Sequence, residues 1–141
     1  MNFRLSNDGN KKDIEEIRDL LIDYNASYGV TNDTIPIEVY YENEKGKKLG
    51  GIIGKAHGNW FFIDFLFVNE ALRGQSIGKK LLSLAEEDAK KKGCKYVFLS
   101  TNAFQAPGFY QKAGYECVFK LTEFPFTGEN IILQKSCNRI C

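Results

Sequence analysis

The chain has one histidine, no CxxC pair and no large excess of either charge, and each shortage removes a class of function. His57 stands alone, and Cys94, Cys117, Cys137 and Cys141 contain no CxxC pair. A structural zinc site needs several such ligands at metal-binding spacing, so no metal is expected and the thiols read as reduced, cytosolic ones. Lysine and arginine number 19 against 18 aspartate and glutamate. That balance argues against a domain built to hold nucleic acid or an anionic membrane. No apolar run approaches the roughly 20 residues that span a bilayer. The opening MNFRLSNDGNKKD also lacks the apolar segment of a secretory signal, so a cytoplasmic protein is expected. Repeats, low-complexity runs and linkers are missing too.

What is present suits one domain, residues 1–141, around a single core. MNFRLS reads as a short first strand. From Asp13, the residues Ile14, Ile17, Leu20, Leu21, Tyr24 and Tyr28 recur at helical spacing, with Asp13, Glu15 and Glu16 in the first turn. TIPIEVYYENEKGKKLGGIIGKAHG reads as two strands joined by a charged turn. NWFFIDFLFV is apolar on both faces and should be a central strand. Ile77, Leu81, Leu84, Ala85 and Ala89 then make one stripe of a helix that ends in Lys90, Lys91, Lys92 and Gly93. KYVFLST follows as a buried strand, and FQAPGFYQKAGY as a short helix between Pro107 and Gly114. Alternation at Tyr115, Cys117, Phe119 and Leu121 marks a strand, and NIILQKS supplies the last. The expected class is α/β, with antiparallel hairpins at both ends and a strand–helix–strand crossover between them.

Charge is distributed unevenly. Residues 71–100 hold seven basic side chains against three acidic ones, whereas 31–70 hold six acidic and four basic. Within the first stretch, LRGQSIGKKLL places Arg73, Lys79 and Lys80 around a helix start. That end carries partial positive charge and favours acidic neighbours. A polar loop between strand and helix, rich in backbone N–H groups and basic side chains, suits a phosphate. Gly74 and Gly78 enclose three residues, one short of the P-loop pattern, and GxGxxG is absent.

Arg73-Gly74-Gln75-Ser76-Ile77-Gly78 instead resembles the acetyl-CoA-binding motif Gln/Arg-x-x-Gly-x-Gly/Ala of the GNAT N-acetyltransferases. IDFLFVNEALRGQSIGKKLLSLAEEDAKKKG is similar to that family's central strand, pyrophosphate loop and helix. STNAFQAPGFYQKAGYE resembles a bacterial subgroup with an FQAPGFYQKAGY-type segment. The likeness covers roughly residues 47–119. It implies a mixed, mostly antiparallel sheet with one splayed parallel pair and flanking helices. It also implies acetyl-CoA as cosubstrate, and a homodimer through the last strands is common in similar proteins. Ser76 stands where the family usually has a glycine. The loop runs into the helix there, so Ser76 is expected in the first helical turn, a conformation serine tolerates.

The resemblance implies direct acetyl transfer to an acceptor amine, without a covalent enzyme intermediate. Amides from Gly74 to Lys79 would hold the pyrophosphate, with Arg73, Lys79 and Lys80 adding screened attraction. Backbone at Leu66, Phe67 and Val68 would bind the thioester oxygen and the pantetheine, and Ala106 and Phe109 would lie beside the cofactor. Tyr110 matches the tyrosine that assists the departing thiolate, although a tyrosine also serves as core filler. Asn102 either holds pantetheine or caps the following helix. Asp64 is an acid in the most apolar strand, costly there without a task or a partner. Simple alternation puts it on the face of Leu66 and Val68, where it acts as base or pairs with a lysine. His57, in the turn-like AHGN, reads as a surface residue despite a pKa suited to a base.

Two other readings stand beside the enzyme: a non-catalytic acyl-CoA-binding or regulatory module, and a nucleotide-binding domain using the loop for ATP. The acceptor has no readable code. Segments 22–36 and 120–130 are the expected acceptor-binding regions, and Asp33, Glu38, Glu42 and Glu44 favour a cationic amine.

Overall fold

The computed structural model describes residues 1–105 and 107–137, with Phe104 by its backbone alone. The chain divides into two compact units, Met1–Asp33 and Thr34–Cys141. In the first, helix α1 (Lys11–Ala26) begins at Asn10, whose side chain accepts from the Asp13 amide at 3.0 Å. Arg4 Nη2 lies 3.1 Å from Asp13 Oδ2 ahead of that turn. The strand expected at MNFRLS does not form, and residues 1–7 are irregular. Alternation alone cannot make a strand, because its backbone groups need a neighbouring strand to bond.

The second unit is built on a six-stranded sheet with order β1-β2-β3-β4-β6-β5. Strands β1 (Ile35–Glu42), β2 (Lys48–His57) and β3 (Trp60–Val68) form an antiparallel meander. Its first turn is fixed by Asn43, whose carboxamide oxygen accepts from the amides of Lys45 and Lys47 at 2.9 and 3.0 Å. Helix α2 (Ile77–Lys91) then crosses over to β4 (Tyr96–Asn102), which runs parallel to β3. Helix α3 (Pro107–Lys112), β5 (Glu116–Leu121) and β6 (Asn130–Ser136) complete the unit. The last strand does not lie at the edge. β6 inserts between β4 and β5 and is antiparallel to both.

One face of the sheet and α2 make the core. Ile37, Ile52, Phe61, Ile63, Val97, Leu99 and Leu133 cluster with Leu81, Leu82, Ala85 and Ala89. The buried face of α2 differs from the expected stripe, because Leu84 turns outward while Leu82 and Glu86 turn in. An acid can be taken in here because it finds partners in Lys135 and Tyr115, as described below.

Two irregularities shape the region around β3. Its parallel pairing with β4 holds only for residues 60–62 against 96–98, after which the strands separate. Beside this, β3 carries a bulge: Ile63 pairs with Gly54 and Phe65 with Ile53, leaving Asp64 as the extra residue. Glycine is required opposite. A Cβ on Gly54 would meet the Phe62 carbonyl oxygen at 2.4 Å and Phe61 Cε1 at 2.6 Å.

Candidate active site

Where β3 and β4 part, the second unit holds a cavity of about 850 Å³. Leu66, Phe67 and Val68 supply one wall, at the end of β3. Phe109, Tyr110, Lys112 and Ala113 of α3 and its last turn supply another. The loop and first turn of α2 form the third, through Leu72, Arg73, Gly74, Ser76, Ile77, Gly78 and Lys79.

The loop geometry follows from local bonds. Asn69 accepts from the Ala71 amide at 3.0 Å and starts a single 3-10 turn, Glu70–Leu72. Arg73 Nε then reaches back to the Val68 carbonyl at 3.4 Å, fastening the loop to the strand end. Gly74 takes φ 88°, open only to glycine at low cost. Ser76 is not in the first helical turn, contrary to expectation. It is the residue before α2, in the left-handed region at φ 62° and ψ 18°, and its hydroxyl makes no capping bond. A serine held there stores roughly 1–2 kcal/mol of strain.

The first turn of α2 contains no acidic side chain, and its first internal bond runs from the Lys80 amide to the Ser76 carbonyl at 3.1 Å. The amides before it have no helical acceptor, and Ser76, Ile77, Gly78 and Lys79 line the cavity. Amides, the helix dipole and Arg73 together make an anion cradle opening onto apolar walls. The two walls converge on Gly78, where a Cβ would lie at ordinary contact distance from Phe109 Cζ, 3.5 Å, and Val68 Cγ2, 3.6 Å.

Tyr110 is both core and cavity wall. It is 7% exposed, with ring centroids 5.1 Å from Phe109 and 5.8 Å from Tyr115, each pair nearly edge to face. Burial pushes its hydroxyl above the ordinary tyrosine range. The group therefore stays protonated through neutral pH, as an acid must.

Three expected site residues, Asp64, Asn102 and Gln75, do not line this cavity. Asp64 is itself the extra residue of the bulge and is exposed, whereas Leu66 and Val68 are partly buried against the core. Its Oδ1 lies 3.7 Å from Lys55 Nζ, with both side chains about half exposed. The expected common face is thus corrected, and the lysine partner is present. Asn102 accepts from Asn130 Nδ2 at 3.2 Å across β4 and β6, and it does not line the cavity. Gln75 does not line it either, and Ala106 lies outside the described residues. His57 closes the β2–β3 turn opposite Trp60, about 26 Å along β3 from Val68 at strand rise.

Leu72, Gln105, Lys112 and Ala113 line the cavity without having been singled out. Ala113 was reachable by helical spacing, since it follows Phe109 by four residues. Leu72 is the apolar residue of an otherwise polar loop. Gln105 carries no such signal; its Oε1 accepts from the Asn102 amide at 3.0 Å.

A strand–loop–helix anion cradle beside a splayed parallel pair matches known proteins. The acetyltransferase (GNAT) family model matches residues 7–115. An acetyltransferase of Agrobacterium fabrum is 35% identical over 115 residues, covering 82% of this chain and 84% of that protein. Blasticidin-S acetyltransferase of Streptomyces morookaense is 36% identical over 94 residues, 64% of this chain and 69% of that one. Among solved structures, an acetyltransferase from Bacillus cereus superposes with a TM-score of 0.85 at 32% identity, covering 96% of this chain and 99% of that one.

The chain belongs to the GNAT acetyltransferase family. It is an N-acetyltransferase whose cosubstrate is acetyl-CoA, and the anion cradle and apolar walls suit a diphosphate joined to an uncharged arm. Among the described residues, no three His, Cys, Asp or Glu side chains gather as metal ligands, and no helix is long and apolar enough to cross a membrane.

Proposed function

We propose that this chain transfers the acetyl group of acetyl-CoA directly to a primary amine, with residues 1–141 acting as one catalytic domain. The amine nitrogen attacks the thioester carbon, the new C–N bond forms and the C–S bond breaks. Asp64, directly or through a water, receives the amine proton, which is needed because an alkylammonium of pKa about 10 is not nucleophilic. Backbone N–H groups at Leu66 to Val68 stabilise the developing oxyanion. The Tyr110 hydroxyl gives its proton to the departing sulfur and recovers one from solvent. Amides from Gly74 to Lys79 hold the pyrophosphate.

One observation supports this reading most. The β3–β4 pairing stops after residue 62, so the end of β3 shares a single cavity with Tyr110 and the start of α2. A relative that acetylates blasticidin S favours a small-molecule amine, and the acidic excess of residues 31–70 favours a cationic one.

The test is a panel of amines: polyamines, aminoglycosides, lysine and peptide N-termini, and small alkylamines. Thiol release from acetyl-CoA is followed together with product mass. Amine-dependent release with an N-acetyl product is expected. Acetyl-CoA binding without release, with every amine and with water, would mean a non-catalytic acyl-CoA-binding module.

A further inference from the structure

Directly behind the wall that carries Tyr110 lies a buried polar contact that the reaction itself does not use. Tyr115 is 3% exposed, and its hydroxyl donates to Glu86 Oε2 at 2.8 Å. Lys135 Nζ is 3.1 Å from that same oxygen and 3.4 Å from Oε1, and its charge lies 5.5 Å from the centre of the Tyr115 ring. Glu86 and Lys135 are both buried. The three residues come from α2, β6 and the segment just after α3, so the contact ties together elements far apart in the chain.

A buried ion pair is a poor device for stability alone. Both charges lose their water, and apolar residues of similar volume often serve as well or better. Hydrogen bonds add direction, which apolar packing supplies less sharply. Direction matters most for α3, which has only six residues and too few turns to hold itself in place. Its end is fixed from behind. The Tyr115 amide donates to the Tyr110 carbonyl at 3.0 Å, and the two rings stand at 75° with centroids 5.8 Å apart. Gly114 between them takes φ 97°, and a Cβ there would press on Lys135 Cε at 3.4 Å. The turn out of α3 therefore lies against the lysine stem.

We infer that Tyr115, anchored by Glu86 and Lys135, is a positioning residue that sets the angle of Tyr110 toward the CoA sulfur. This rests on the role assigned to Tyr110 above. The hydroxyl of Tyr115 does no chemistry; it fixes the short helix whose other face meets the cofactor.

The test replaces the polar contact by apolar groups of similar size, in the triple variant Glu86→Leu, Lys135→Met, Tyr115→Phe. Melting temperature, acetyl-CoA affinity and kcat are measured, the last as thiol release with the best amine of the panel and with water alone. The melting temperature should stay equal or rise. Acetyl-CoA affinity should hold, and kcat should fall roughly tenfold, within the range that small misplacements of reacting groups cost. In a Tyr110→Phe background the same three changes should alter kcat by no more than about twofold, because the residue they position has lost its function.

An unchanged kcat in a folded triple variant would overturn the inference, as would equal losses in both backgrounds. Wild-type turnover by Tyr110→Phe alone would instead refute the role of Tyr110 itself. Should the triple variant not fold, Tyr115→Phe alone is put through the same cycle. It leaves Glu86 paired with Lys135, and the same two outcomes decide.

Discussion

Asp64 and Lys55 face each other across β3 and β2 at 3.7 Å, at the point where β3 carries one residue more than its partner. The carboxylate belongs to the bulge residue and is exposed, whereas Leu66 and Val68 are partly buried against the core. Half-exposed pairs of this kind contribute little to stability, about 0–1 kcal/mol.

Asp64→Asn should therefore leave the melting temperature nearly unchanged while lowering kcat/KM. If Asp64 takes the amine proton, the loss should shrink as pH approaches the amine pKa of about 10, where the free amine needs no base. A pH–rate profile on both proteins checks this. A loss that is the same at every pH would assign Asp64 to acceptor binding.

Ser76→Gly should stabilise the protein, because the position lies at φ 62°. Relief of about 1 kcal/mol corresponds to a rise of roughly 3 °C in a domain of this size. Acetyl-CoA affinity should hold or increase in the same variant. A lower affinity would mean that the serine hydroxyl itself bonds the pyrophosphate.

Gly78→Ala should be tolerated, since the added carbon meets Phe109 and Val68 at ordinary contact distances of 3.5 and 3.6 Å. Gly78→Val extends further into the passage between them. It should abolish the rise in melting temperature that CoA gives the wild type by binding the folded state. An undiminished shift would put the cofactor elsewhere.

Much of this site was legible in local pattern, and the rest depended on partners distant in sequence. The central strand, α2 and β4 follow from apolar periodicity, and Gly93 and Gly114 end their helices at φ 88° and 97°. The cavity gathers Leu66, Val68, Arg73, Gly78 and Tyr110, which the family resemblance of the central strand, the loop and the FQAPGFYQKAGY segment implied. The inward turn of Glu86 was not readable, because its partner Lys135 is 49 residues away. Nor was the exposure of Asp64, since the bulge is set by pairing with Gly54 on the neighbouring strand. The left-handed Ser76 was hidden for a different reason. A residue just before a helix can take several backbone conformations, and the glycine usual there was the only hint. The place of β6 between β4 and β5 is likewise a choice among neighbours.

The central claim is that Tyr110 assists thiolate departure, and Tyr110→Phe tests it most directly. The variant keeps the ring and its contacts with Phe109 and Tyr115 and removes only the hydroxyl. An acid acts in the transition state, so kcat should fall while acetyl-CoA affinity and melting temperature stay close to wild type. General acids contribute roughly 10²–10⁴-fold, and a thiolate leaves readily, so the fall should lie at or below the lower end. Because burial raises the Tyr110 pKa, wild-type kcat should hold through neutral pH and fall only above about 10, and the variant should lose that limb. Wild-type kcat in Tyr110→Phe, with the alkaline limb retained, would contradict the account.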